Sequence, residues 1–252
     1  MAWRVQLTVT ADGSHTLYLP EIDERYHSAN GAIRESKHVY IEAGLNQCLK
    51  PRIHVLEMGF GTGLNAFLTA LEAEKRGVSI LYAGLEKYPL PDEIVEKLNY
   101  SGGNEALFKN IHAAEWEKPV RLTPFFTLQK IAADFKDYSY PGPYDVVYYD
   151  AFAPDKQAEV WSQELFDRLF KTLNPDGILT TYCAKGQIRR RMQQAGFTVE
   201  RLPGPPGKRE MLRARRKRPL EQNSKHDNSV NGIMNDAMND AIVETDNYPS
   251  LH

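Results

Sequence analysis

Acids close three of the apolar runs in this chain, and glycines close a fourth. ILYAGLEKYPL ends its apolar part at Glu86, QKIAADF at Asp134, and YDVVYYD at Asp150, which Ala-Phe-Ala-Pro (residues 151–154) follows at once. In VLEMGFGTGLNAFL the run ends instead in Gly59, Gly61 and Gly63, at every second position. Glycine there permits positive φ and lets a ligand approach the backbone. A helix opening near Leu64 presents unpaired N–H groups to an anion or a carboxylate. Glu86 can accept two hydrogen bonds from a ribose diol, and Asp134, at a strand boundary that the pattern leaves open, would meet an adenine amino group. Asp150 can aim the lone pair of a nitrogen nucleophile at an electrophile and help to remove its proton. Phe152 can stack on a planar base, and Pro154 stiffens the turn. Each group also has a plainer reading: a tight strand–helix turn for the glycines, a solvated side chain for Glu86, a helix cap over a core phenylalanine for Asp150 and Phe152.

The elements that must position these groups follow from periodicity. VQLTVT and HTLYL alternate around Asp12-Gly13 and predict a hairpin over residues 5–19. Residues 33–49 predict a helix. A β–α rhythm then sets in: strand IHVLEMG, a helix ending at Gly77, strand SILYAGLE, helix PDEIVEKLNY, helix NEALFKNIHAAEW, strands FFTLQKIAADF and YDVVYYD, helix AEVWSQELFDRLFKTLNPDG, strand ILTTYCA and helix GQIRRRMQQAG. Alternating strands and helices predict a mainly parallel sheet covered on both faces. FTVERL and the last strand pattern are joined by a loop with no helix, which only an antiparallel pair allows. The expected fold is therefore α/β: a Rossmann-like, seven-stranded, mainly parallel sheet closed by a C-terminal antiparallel hairpin, with an N-terminal β-hairpin added. That is the layout of class I methyltransferases. A dinucleotide fingerprint, G-x-G-x-x-G, would need a glycine where Leu64 stands. The observed G-x-G-x-G, with Glu57 two residues ahead, matches an S-adenosylmethionine loop better.

Composition narrows the class further. The 252 residues are 42% hydrophobic and 25% charged, which suits one globular domain with additions. No apolar run approaches the roughly 18 residues of a membrane span, and the N-terminus shows no secretory pattern. Cys48 and Cys183 have neither zinc spacing nor a disulfide framework; Cys183 reads as a buried free thiol, and the expected setting is reducing and cytoplasmic. One lysine against six acids puts residues 219–252 at −5 and leaves the rest of the chain at +3, within a total of −2. The body's weak positive charge permits a polyanionic partner. The expected organisation is an N-terminal hairpin and helix (1–50) packed on the core, a methyltransferase domain (51–216) and a disordered acidic tail (217–252).

Five stretches, YHSANGAIRES (26–36), LEMGFGTGLN (56–65), YAGLEKYPL (82–90), YYDAFAPDKQAEVWSQELF (148–166) and AGFTVERLPGPPGKREML (195–212), resemble the tRNA 5-methylaminomethyl-2-thiouridine methyltransferase family in its stand-alone form, without the flavin oxidase module. The resemblance implies transfer of a methyl group from S-adenosyl-L-methionine to the exocyclic amine of 5-aminomethyl-(2-thio)uridine in a tRNA anticodon stem-loop. It implies no metal and no membrane partner, and an amine precursor made by another enzyme. Carried over by position, Gly59, Gly61 and Gly63, with Glu57 and Asn65 beside them, would hold the methionine portion. Glu86 with Lys87 would hold the ribose, and Ser28, Asn30 and Gly31 would sit over the cofactor. Asp150 and Phe152 would face the amine and the base beside Pro154, and Lys208 and Arg209 would lie by the anticodon. Asp134 fits the family pattern poorly. Arg189, Arg190 and Arg191, with the run from Lys208 to Arg218, suit phosphate or equally a solvated face. A methyltransferase or aminopropyltransferase acting on a small amine, and a non-catalytic RNA-binding protein on the same fold, are the alternatives.

Overall fold

The computed structural model describes residues 4–218. The expected acidic tail lies outside the described residues, apart from Lys217 and Arg218.

Strands β1 (Gln6–Val9), β2 (His15–Leu19) and β3 (Glu24–Arg25) form a small antiparallel sheet, one strand more than the expected hairpin. Asp12 ties its turn by accepting from the Ser14 N–H and the Thr10 hydroxyl. Leu17 and Leu19 are fully buried. Leu17 shares a core with Ile53, Val55 and Phe67 of the main body, so the N-terminal segment is packed on the domain.

The expected helix over 33–49 is divided. Helix α1 (Ala32–Ser36) passes into a widened turn at Lys37–Glu42, closed by the Ala43 N–H on the His38 carbonyl, five residues back. A tight turn at Leu45–Gln47 ends the run. Val, Tyr and Ile in succession hold the α form weakly, and such widened turns often occur at functional sites.

The main sheet comprises β4 (Arg52–Met58), β5 (Ser79–Glu86), β6 (Pro119–Arg121), β7 (Phe126–Ala132), β8 (Tyr144–Tyr149), β9 (Leu173–Thr181), β10 (Thr198–Pro203) and β11 (Glu210–Arg215), in the order β10-β11-β9-β8-β4-β5-β7-β6. It has eight strands where seven were expected, because the short β6 pairs antiparallel on the edge of β7. The five central strands β9, β8, β4, β5 and β7 are parallel, and β11 and β10 close the other edge antiparallel, as the helix-free connection required. Side chains alternate between two cores: Ile53, Val55, Val146 and Tyr148 face one, and Leu56, Met58, Val147 and Tyr149 the other. A strand buried on both faces reads as a continuous apolar run.

Helices α2 (Leu64–Arg76), α3 (Asp92–Val95), α4 (Glu105–Ala113), α5 (Gln163–Thr172) and α6 (Gly186–Gln194) complete the domain. Helix α2 stops at left-handed Gly77 as expected. Helix α3 is shorter than its pattern, because Asn99 leaves it to bond the hairpin turn at His15 N–H and the Gly13 carbonyl. Ser162 breaks the expected 158–177 helix and caps α5 by accepting from the Leu165 N–H at 3.3 Å. The Asn-Pro-Asp-Gly stop is absorbed into β9, which starts at Leu173. Strand β7 ends at Ala132, so Asp134 follows the strand instead of belonging to it.

Candidate active site

From β4 the chain builds outward through β5 and β7, and from β8 outward through β9. The switch point therefore lies between β4 and β8, the place where open α/β sheets bind ligands. Met58 and Tyr149 are register partners, so Gly59 and Asp150 leave the sheet side by side. Gly59, Gly61 and Gly63 all have positive φ, at +99°, +50° and +70°. A Cβ on Gly59 would stand 2.6 Å from the Asp150 carbonyl oxygen, and one on Gly61 would stand 3.0 Å from the Tyr26 ring. The loop thus needs glycine on two counts, backbone conformation and close approach.

A cleft of about 220 Å³ opens over this loop, and Glu86, Asp134 and Asp150 all line it. Glu86 accepts from the Gly61 N–H at 2.9 Å and the Tyr88 N–H at 2.8 Å, one bond to each oxygen. Burial pushes its pKa up, and these backbone bonds oppose the rise. Each oxygen keeps a lone pair for a hydroxyl donor. Asp134 pairs with Lys87 at 2.7 Å. Burial acts to raise its pKa, but the Lys87 ammonium and the Lys136 N–H outweigh burial and leave it lowered.

Asp150 sits between two donors. The Tyr40 hydroxyl donates to Oδ1 at 2.6 Å and the Asn65 amide to Oδ2 at 2.8 Å. Burial dominates and raises the Asp150 pKa to about 7, with Glu35 adding to the rise and Tyr40, Asn65 and Lys208 opposing it. The carboxyl therefore titrates near neutrality while facing a cleft. Asn65 Nδ2 also donates to Glu57 at 2.9 Å. Glu57 itself is fully buried, with its pKa pushed well up by burial, and it reaches the cleft only through Asn65.

Phe152 lines the cleft and meets Tyr26 edge to face, with ring centroids 5.2 Å apart. Its carbonyl accepts from the Trp161 indole at 2.7 Å, which anchors the turn. Pro154 is buried and stays off the cleft wall. Ser28, Asn30 and Gly31 also stay off it: Asn30 bonds Ser28 Oγ, Gly31 lies against Asp12, and the Ser28 N–H donates to Glu35. Lys208 is engaged, with its ammonium 2.7 Å from Glu35 and 3.7 Å from the centre of the Tyr182 ring. Arg209 is exposed.

Sequence reasoning missed Tyr40, Tyr26, His27 and Lys156. The last three line the cleft. Tyr26 and His27 open a stretch that carried the resemblance, so a signal existed there. Tyr40 lies in no motif, and only the fold brings it to Asp150. The donor set fits an adenosyl amino acid: one carboxylate available to a diol, apolar and aromatic walls, and Asn65 Oδ1 buried with no protein partner.

This strand order, with a glycine loop after the central strand and the cleft over the switch point, defines the class I S-adenosyl-L-methionine-dependent methyltransferase fold. Residues 118–217 match the family model described as S-adenosyl-L-methionine-dependent methyltransferase, and S-adenosyl-L-methionine is that family's cofactor. The chain is related to the tRNA 5-methylaminomethyl-2-thiouridine biosynthesis bifunctional proteins: it is 30% identical to that of Cupriavidus metallidurans over 229 residues (84% of this chain, 34% of the relative). It is 29% identical to that of Aeromonas hydrophila over 220 residues (78% and 33%). The chain therefore spans about a third of the length of these relatives. Among solved structures it is similar to MnmC2 from Aquifex aeolicus, with a TM-score of 0.69, 25% identity and coverage of 86% of this chain and 72% of that one. The spermidine synthase of Thermotoga maritima, at 12% identity and a TM-score of 0.55, shares the fold (85% and 70% covered). The expected fold class, cofactor and family resemblance are borne out.

Proposed function

We propose that the chain N-methylates the primary amine of 5-aminomethyl-(2-thio)uridine at the tRNA wobble position, giving 5-methylaminomethyl-(2-thio)uridine. The observation that carries this reading is Asp150: a carboxyl that titrates near neutrality, fixed by two donors, at the switch point beside the glycine loop. S-adenosyl-L-methionine, when bound, supplies a methyl group made electrophilic by a positive sulfur, so positioning is the main task left to the protein.

In this reading Gly59, Gly61, Gly63 and Asn65 hold the amino-acid portion of the cofactor. Glu86 holds the ribose, and Asp134 with Lys87 borders the base. As a carboxylate, Asp150 accepts the amine's proton and aims its lone pair, and Phe152 walls off water or stacks on the uracil ring. Residues 1–50 belong to the site through Tyr26 and His27. The anticodon stem-loop would meet the exposed Arg209 and the arginines of α6, while Lys208 serves Glu35. Single-stranded anticodon bases can splay outward to be read this way. The relatives' names support a tRNA substrate. A tRNA substrate and two free buried thiols fit a cytoplasmic enzyme whose amine precursor another enzyme supplies.

The test uses tRNA from a strain lacking the modification, incubated with the protein and labelled cofactor, then digested for mass spectrometry of the nucleosides. Label in 5-methylaminomethyl-(2-thio)uridine is expected. Label only in small amines, or tRNA affinity that stays flat as salt rises, would overturn the reading.

A further inference from the structure

Tyr40 has no place in any motif, yet its hydroxyl makes a 2.6 Å bond to Asp150 Oδ1. The residue stands on the widened turn Lys37–Glu42, is 1% exposed, and packs its ring against Tyr148 with centroids 5.2 Å apart. The same hydroxyl lies 3.5 Å from the Tyr149 carbonyl, so it is held at the end of β8 from two sides. A regular α-helix would carry one fewer residue in this turn and rotate Tyr40 away from the strand end.

We infer that Tyr40 is a positioning residue: its hydroxyl fixes the Asp150 carboxylate for the acceptor amine and sets the pH below which that carboxylate can no longer take the amine's proton. The inference rests on the reading that Asp150 faces the amine. Charged and titratable groups approach Asp150 from every neighbouring element: Tyr40 itself, Glu35 from α1, Glu57 from β4, Tyr82 from β5, Tyr182 after β9 and Lys208 from the loop before β11. Most of them are otherwise engaged. The Lys208 ammonium is held by Glu35, and the Tyr182 hydroxyl donates to the Ala151 carbonyl at 2.8 Å. The carboxyl oxygens themselves receive Tyr40 and the Asn65 amide. Burial and the neighbouring Asp150 keep the Tyr40 phenol protonated, so it acts as a donor and not as the proton acceptor.

A donor to a carboxylate favours the charged form. Its removal makes protonation easier, so the acid limb of activity must move to higher pH. Tyr40→Phe keeps the buried ring and removes only the hydroxyl. The measurement is single-turnover methyl transfer to the aminomethyl-uridine tRNA at saturating cofactor, from about pH 5 to pH 9, with cofactor affinity followed by calorimetry. The acid limb is expected to shift upward by about one pH unit, the value of a hydrogen bond to a charged group. Activity is lost at low pH and largely regained at high pH, with cofactor affinity unchanged. A uniform fall at every pH marks a merely structural tyrosine and overturns the inference. Should the phenylalanine variant not fold, 3-fluorotyrosine introduced at position 40 keeps the side chain and makes the hydroxyl a stronger donor. The limb must then move to lower pH, and an unmoved limb overturns the inference equally. Full activity of Asp150→Asn would sink the underlying reading, whereas an inactive Asp150→Asn with an unmoved Tyr40→Phe limb would sink this inference alone.

Discussion

In the proposed function Asp150 concentrates the chemistry, because it is an acid taken out of water and then given two donors. Burial raises its pKa, and Tyr40, Asn65 and Lys208 oppose the rise, which leaves it at about 7. The direction for pH follows: above about 7 the carboxylate accepts a proton, and below it the group is already protonated and useless as a base. Methyl transfer measured against pH should therefore fall about tenfold per pH unit below that point, until other groups titrate. Asp150→Ala should leave cofactor affinity near normal and lower turnover by about 10²- to 10⁴-fold, the usual worth of a positioned base. Stopped-flow turnover beside calorimetry separates the two effects, and unchanged turnover would remove Asp150 from the site.

The glycine loop and the β8 turn work as a pair of elements, since the Asp150 carbonyl occupies the space that a side chain on Gly59 would need. A Gly59→Ala methyl would stand 2.6 Å from the Asp150 carbonyl oxygen at a φ of +99°. The substitution should cost about 1–3 kcal/mol, lower Tm by several degrees, and reduce turnover by displacing Asp150. Gly61→Val places a β-branched residue at a φ of +50° against the Tyr26 ring. Calorimetry should show cofactor binding abolished, and normal binding would contradict the assignment of the loop. The widened turn at Lys37–Glu42 is the third element of the site, and its register decides where Tyr40 points.

Over the whole molecule, the N-terminal segment and the central sheet share one core. Leu17 and Phe67 are both essentially buried in the same cluster, though they stand fifty positions apart in sequence. Leu17→Ala should cost about 2–5 kcal/mol, as buried leucine truncations do, and should shift a single unfolding transition in urea. A separate early transition for residues 1–50 would show the segment to be independent of the domain. Cofactor affinity should weaken with it, because Tyr26 and His27 come from the same segment. Free histidine is cationic only below its pKa, and burial has pushed His27 down to about 4. At working pH His27 is a neutral wall bonded to Thr62.

The β–α succession of the main body, the antiparallel ending, the glycine loop and the acids at the ends of β5 and β8 were determined by the local sequence. Apolar period, glycine spacing and turn residues act over a few positions, so they can be read there. The division of the 33–49 helix, the shortening of α3, the eighth strand and the capture of Lys208 by Glu35 were decided only in three dimensions. In three of these a partner distant in sequence competes with the local preference: Asn99 is drawn to the hairpin, Tyr40 to Asp150 and Lys208 to Glu35, whereas β6 turns back onto the edge of the neighbouring β7. The 110 positions between Tyr40 and Asp150 explain why no motif announced that contact. A hydrogen bond set by packing leaves no spacing for a pattern to record.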